Sequence, residues 1–179
     1  WTWIDAIQMA MPAYAQLSAI TGDSKYIDYA MRSYTWSRDT CGGKLFNTEE
    51  GLWWRDANFV PPYKESDGKN CYWSRGNGWV YAAYVRVMMM LPKKDKYYKQ
   101  LKKDFIMMSK ALLPLQREDG FWNASLASQD FAGKELTGTA LFLYGMSWGV
   151  SHGILKEKEY LLRKQPKLIH IVCQFQKKL

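Results

Sequence analysis

A turn followed by an acidic, lysine-containing step and a tyrosine occurs three times along the chain, and that recurrence limits the fold more than any other feature. Asp23-Ser24-Lys25-Tyr26, Asp95-Lys96-Tyr97 and Glu157-Lys158-Glu159-Tyr160 each stand where a helical pattern begins, with the tyrosines 71 and 63 residues apart. Each interval holds one helix pair and one long irregular stretch. Repeats of this kind mark helical hairpins set in an array or closed into a ring. No alternating segment of convincing strand length occurs, so a parallel sheet is not expected.

The periodicity predicts a helix over 3–20 with Ile4, Ile7, Met11, Ala15 and Leu17 on its apolar face. Pro12 should kink it or leave its first part irregular. Further helices are predicted over 25–36, 78–91 (stopped by Pro92), 97–113 (stopped by Pro114) and 138–150. Residues 37–74 and 119–134 lack periodicity, and loops of such length in a compact domain carry function. Short turns alternate with these long loops, which collects the loops, with their Trp, Asp and Arg, on one face.

Composition bounds the partners. Of 179 residues 47% are hydrophobic and 16% aromatic, which excludes a disordered chain. No run reaches the roughly 18 apolar residues of a membrane span. Cys41, Cys71 and Cys173 are far apart, without the spacing of a zinc site or a disulfide framework. The net charge is +8, but Arg163, Lys164, Lys167, Lys177 and Lys178 supply five of those charges in the last twenty residues. A basic end without a zinc-finger, RNP or phosphate-loop motif reads as a solvated tail rather than a nucleic-acid arm. The chain opens Trp1-Thr2-Trp3 with no Met and no basic leader, so a mature or truncated N-terminus is expected, and cytoplasm and periplasm stay equally open.

Four clusters carry candidate chemistry. In Trp1-Thr2-Trp3-Ile4-Asp5 an acid stands among indoles that can stack on sugar rings; equally, Asp5 could cap a helix and the tryptophans be core. In Trp53-Trp54-Arg55-Asp56 apolar neighbours would raise the pKa of Asp56 as a general acid requires, whereas a salt bridge to Arg55 would lower it. In Trp73-Ser74-Arg75-Gly76-Asn77-Gly78-Trp79 the glycines admit close backbone approach to a ligand, and the planar fork of Arg75 suits a carboxylate. Leu136-Thr137-Gly138-Thr139-Ala140 opens a helix with small residues, for a ligand or for close helix packing. The only histidines, His152 and His170, lie near no nucleophile motif, so Ser-His-Asp catalysis has no support.

In this order the motifs Trp-x-Trp-x-Asp-x-x-x-Met-x-x-Pro, Gly-Asp-x-x-Tyr, Arg-Asp, Trp-Ser-Arg-Gly-Asn-Gly-Trp and Thr-Gly-Thr-Ala resemble those of the unsaturated glucuronyl and rhamnogalacturonyl hydrolases, glycoside hydrolase families 88 and 105, with 105 the closer. The resemblance covers about residues 1–160. It implies an all-α fold, an (α/α)6 barrel of six hairpins of which this chain supplies about half, and a basic end over 161–179 that is altered or frameshifted. Open faces of an incomplete ring are expected to self-associate. By resemblance, Asp56 is the general acid/base and Asp5 the second active-site aspartate. Trp54, Trp73, Arg75, Asn77, Trp79 and Thr137 would bind substrate, and no metal or cofactor is implied.

The implied substrate is an oligosaccharide from a pectin- or glycosaminoglycan-like polysaccharide, bearing a 4,5-unsaturated uronic acid at its non-reducing end. The implied reaction is hydration of that vinyl ether, not two-carboxylate attack on an anomeric bond. A non-catalytic carbohydrate-binding surface and a conventional inverting glycosidase on the same barrel are the alternatives.

Overall fold

The computed structural model describes residues 1–160; the basic end read as altered lies outside the described residues. Six helices account for the framework: α1 (Asp5–Thr21), α2 (Lys25–Asp39), α3 (Ser74–Met88), α4 (Lys96–Leu112), α5 (Leu136–Ser151) and the one-turn α6 (Glu157–Tyr160). None is long and apolar enough to cross a membrane.

The helices form two layers. In the inner one, α3 lies between α1 and α5 and is buried along almost its whole length. Its contacts with α5 advance together, Gly78 meeting Gly138 and Tyr81 meeting Gly145, so the two run in the same sense. In the outer layer α2 and α4 are tied by Tyr97 to Asp28, Gln100 to Thr35 and Arg38 to Asp104, again advancing together. Short turns at Gly22 and Gly153, both with positive φ as the left-handed position after a helix requires, send α1 and α5 back, and the turn ending at Asp95, whose side chain caps α4, does so for α3. Each long loop then returns the chain to the inner layer. The predicted hairpin array is what the chain forms, and it is the arc of an α/α barrel.

Sequence boundaries and structure differ in instructive ways. Pro12 sits inside α1 without interrupting it. Ile4, Ile7, Met11 and Ala15 are buried as expected, but Leu17 is exposed, because two residues after Ala15 the helix has turned away from the core. Helix α3 begins at Ser74, not 78: Gly76 and Gly78 are helical residues, placed for close packing and not for a turn. A Cβ on Gly76 would fall 2.7 Å from Trp73 Cε3 and 2.9 Å from Ile4 Cδ1, while one on Gly78 would fall 3.1 Å from Gly138 Cα. The loops hold two hairpins too short to show alternation, β1 (Phe46–Asn47) with β2 (Leu52–Trp53) and β3 (Trp122–Asn123) with β4 (Lys134–Glu135).

The core is aromatic. Tyr81 stacks on Phe105 at 4.7 Å, Trp122 packs edge-on to Phe142, and Trp53 touches Phe46 and Tyr34. A buried polar network runs through it. Arg38 donates from Nε and Nη2 to the two oxygens of Asp104 at 3.1 and 3.0 Å; Tyr34 donates to Asp104 at 2.7 Å; and Trp53 Nε1 donates to Tyr84 at 3.1 Å. Burial, with Tyr84 and Asp104 alongside, pushes the Tyr34 hydroxyl well above the ordinary tyrosine range, so it remains a donor. Burial works against the charge of Arg38, and Asp104 more than offsets it.

Gly138 is where α5 meets α3, and any Cβ there would overlap Ser74 Oγ and sit 2.9 Å from the Ser74 carbonyl carbon. Gly138→Ala is expected to cost about 1–3 kcal/mol through overpacking, whereas Gly133→Ala, with open space around it, should be close to neutral. Thermal unfolding of the two variants checks this.

Candidate active site

The chemistry gathers where the inner helices begin. The segment before α1 pairs with the first long loop: Trp3 bridges Asp56, and the Ile4 N–H donates to the Arg55 carbonyl at 3.0 Å. The two aspartates are thus brought to one place by the backbone. The segment before α3 pairs with the second long loop: Trp73 bridges Ser125, and the Ser74 N–H donates to the Ala124 carbonyl at 2.8 Å. The two loops are further tied to each other, Ser66 Oγ donating to Asp130 and the Gln129 N–H to Asp67. All long loops therefore share one mouth, as the alternation of turn lengths predicts.

Asp5 is the first residue of α1 and does not cap it: no side-chain capping hydrogen bond is made, and its buried Oδ2 accepts nothing from the protein. Trp3 beside it is 48% exposed, not core. Asp56 is differently placed. Its Oδ1 accepts from the Asn58 N–H at 2.8 Å, and its Oδ2 lies 3.5 Å from Arg55 Nε. Of the two readings open for this loop, the Arg–Asp pair is the one formed.

A cleft of about 540 Å³ opens beside the aspartates, with Arg55, Trp73 and Arg75 along one side. The Arg75 guanidinium lies 4.4 Å from the centre of the Trp73 indole and Arg55 5.9 Å from it, so the ring is flanked by two cations. Arg75 is half-exposed and keeps a loose ion pair with Glu135 at 3.7 Å. Glu135 is itself the cap of α5, accepting from the N–H groups of Thr137 and Gly138. The lining is completed by Phe59, which lies 5.8 Å from the Arg55 guanidinium, Tyr63 and Phe131, with Glu65, Cys71 and Ser125. Burial, and then Glu65, push the Cys71 thiol up to about 12, so it stays protonated and unreactive. Neither aspartate is among the residues lining this cleft; Arg55, next to Asp56, is the link between them.

Several sequence-predicted binding residues stand elsewhere. Trp54 is only 4% exposed and packs on Tyr72 at 5.6 Å, so it supports the mouth from behind instead of offering a stacking face. Asn77 is fully buried; it accepts from the Trp53 N–H and donates to the carbonyls of Trp53 and Trp73, which spends its amide on the backbone. Trp79 and Thr137 are partly buried and do not line the cleft. The Thr-Gly-Thr-Ala segment serves close helix packing, the second of its two readings. Sequence reasoning passed over Phe59, Tyr63, Glu65 and Phe131; an aromatic-rich loop with two prolines was the one available signal.

The second loop is pinned by Arg117, which donates to Asp119 and to the Ala132 carbonyl, with Lys134 3.4 Å from Asp119. Arg117's hydrogen bonds hold the Asp119 carboxyl down to about 2. A depressed carboxylate stabilises above its unfolded value, near 3.8, and that contribution is lost as pH falls from there to about 2. Acid unfolding of Asp119→Asn is expected to have a shallower limb across that window.

An arc of α/α hairpins whose long loops set carboxylates, guanidinium groups and indoles around one mouth is an α/α-barrel arrangement with its polar groups gathered at one end. Within it, the chain belongs to Glycosyl Hydrolase Family 88, whose description matches residues 1–172. An Alteromonas protein named unsaturated 3S-rhamnoglycuronyl hydrolase is 37% identical over 163 residues, covering 88% of this chain and 37% of its own. A solved structure of a family 88 glycosyl hydrolase from Bacteroides vulgatus superposes with a TM-score of 0.84 at 33% identity, over 99% of this chain and 49% of that one. One described as a polysaccharide lyase superposes with a TM-score of 0.85 at 31% identity, over 99% and 48%. The chain thus spans less than half the length of each of these relatives.

Proposed function

We propose that this chain carries the active-site half of a hydrolase that removes a 4,5-unsaturated uronic acid from the non-reducing end of lyase-generated oligosaccharides. The single observation that carries the reading is that the starts of the adjoining helices α1 and α3 carry a buried carboxylate oxygen without a protein hydrogen bond (Asp5) and a half-exposed guanidinium on an indole (Arg75 on Trp73). The beginnings of α1, α3 and α5 meet there, and helix N-termini favour an anion. The uronate carboxylate is taken by Arg75, and the ring lies against Trp73.

The reaction needs one proton carrier. The acid delivers its proton to C4, the ring-oxygen lone pair stabilises the cation at C5, and water adds at C5 while returning a proton to the carboxylate. The hemiketal then opens, leaving a ketone at C5. The hydroxyl released on C1 makes an open hemiacetal, which expels the aglycone alcohol. Asp5 takes the role of proton carrier, and Asp56, read from sequence as the donor, takes that of the second carboxylate. The reason is the partners each has: Asp56 accepts from the Asn58 N–H and stands 3.5 Å from Arg55 Nε in an ion pair, while Asp5 Oδ2 has no partner in the protein.

The test is incubation with an unsaturated disaccharide while its double-bond absorbance is followed. Loss of absorbance with release of the second sugar supports the hydrolase. Generation of absorbance from an uncut polyuronide makes the chain a lyase. Binding without change makes it a carbohydrate-binding surface, and cleavage of saturated sugars alone makes it an inverting glycosidase. Arg75→Lys keeps the charge but loses the planar fork; binding of the unsaturated disaccharide is expected to weaken about 10- to 150-fold, as read by titration calorimetry. Unchanged affinity would make Arg75 structural.

A further inference from the structure

The cleft beside the aspartates contains a carboxylate that the proposed chemistry does not use. Glu65 is 7% exposed, yet it lines the cleft. Its Oε1 accepts from Ser125 Oγ at 3.0 Å, and the Cys71 thiol is its other neighbour. Among the described residues no Lys, Arg or His forms an ion pair with it. A buried carboxylate held by neutral donors retains lone pairs for more hydrogen bonds, and the open side of Glu65 is the cleft. What fits there is a group that donates and carries no negative charge.

The surroundings narrow the occupant. The cleft lining also offers aromatic faces: Phe59, 5.8 Å from the Arg55 guanidinium, packs edge to face with Tyr63 at 5.1 Å, and Phe131 is 58% exposed. Aromatic faces beside a hydrogen-bonding carboxylate suit a pyranose, whose C–H face is apolar and whose rim is hydroxyl. A cleft of about 540 Å³ has room for more than one ring.

We propose that Glu65, with Phe131, forms the subsite for the sugar that follows the unsaturated uronate, and that it selects a sugar with free hydroxyls over one bearing sulfate or carboxylate at the position facing Glu65. The inference rests on the hydrolase reading above and deepens it. Glu65 accepts two hydroxyl hydrogens from the aglycone sugar, and an anionic substituent there meets a like charge that the fold has already desolvated.

The experiment compares kcat/KM for an unsaturated uronyl-rhamnose disaccharide and its 3-sulfated counterpart, in the parent and in Glu65→Gln. The parent is expected to favour the unsulfated sugar by at least about 10-fold, the scale of a charge-assisted hydrogen bond. Glu65→Gln keeps size but removes the charge, so the preference should fall by about 10-fold or more, chiefly through KM. Phe131→Ala, at an exposed position that folding tolerates, should raise KM for the unsulfated sugar about 2- to 10-fold; it carries the test if Glu65→Gln does not fold. A second readout is binding of a saturated glucuronyl-rhamnose disaccharide, which needs no catalysis and should weaken in both variants. Turnover of both disaccharides with an unchanged ratio in Glu65→Gln and an unchanged KM in Phe131→Ala overturns the subsite and leaves the hydrolase standing. A parent that prefers the sulfated sugar overturns it as well. A parent that neither turns over nor binds any of these sugars overturns the hydrolase reading and the subsite with it.

Discussion

Asp5→Asn is expected to lower turnover of an unsaturated disaccharide by about 10²- to 10⁴-fold while leaving its binding largely intact, the usual signature of a lost general acid/base. The amide retains the size of the carboxyl and can still hydrogen-bond, but it has no proton to transfer. The effect should be nearly all in kcat, since the carboxylate of the substrate is taken by Arg75 and not by Asp5. Asp56→Asn should do less, because that side chain accepts from the Asn58 N–H with one oxygen and is ion-paired with Arg55 through the other. Steady-state kinetics of the two variants decide between them. If Asp56→Asn is the dead one and Asp5→Asn keeps near-parental rate, the roles are those first read from the sequence. If both stay active, the proton carrier is some other group.

The largest expected effect on stability is at the opposite end of chemistry, in the core. Asp104 is 1% exposed and accepts three hydrogen bonds, two from Arg38 and one from Tyr34. Asp104→Ala leaves the Arg38 guanidinium without its main partner in the interior and is expected to cost about 3–5 kcal/mol. Against a typical total of about 5–15 kcal/mol that is enough to leave much of the protein unfolded at modest temperature. Replacing both partners, Arg38→Met with Asp104→Leu, should cost less than Asp104→Ala alone, because no buried charge is then stranded. Denaturant unfolding of the single and double variants measures the difference.

What could be read from the chain before its structure was the scaffold and the end of it at which the long loops gather. The spacing of the three turn-and-tyrosine signals is a local property, repeated, and it specified the hairpins and the face on which their loops meet. Of the block from Trp73 to Trp79, Trp73 and Arg75 line the cleft. The division of labour inside it was not legible. Arg75 faces the cleft and Asn77, two residues on, is buried against the Trp53 backbone, because α3 starts at Ser74 and a helix turns residues two apart to different sides. Trp54 fell on the buried side of its loop for a comparable reason: the strand pairing of Leu52 and Trp53 with Phe46 and Asn47 fixes which side of the chain faces the core. The Glu65 pocket lay further out of reach. Its hydrogen-bond partner Ser125 is 60 residues away on the other long loop, and no local pattern records such a meeting.

The starts of the three inner helices supply Asp5 and Arg75, in the first turns of α1 and α3, and Glu135, the cap of α5, one charged side chain from each hairpin at nearly the same point of its unit. Each of these residues stands at the start of its own helix, and each helix owes its position to packing lower down its length. Exchanging one such residue therefore leaves the backbone under the others in place. A scaffold of this kind can be re-edited by evolution one hairpin at a time, gaining or losing a charge at the mouth in a single substitution. Divergence among relatives should then concentrate in these few helix-start positions and the loops behind them, while the helix–helix contacts at Gly78, Gly138 and Gly145 are inherited together.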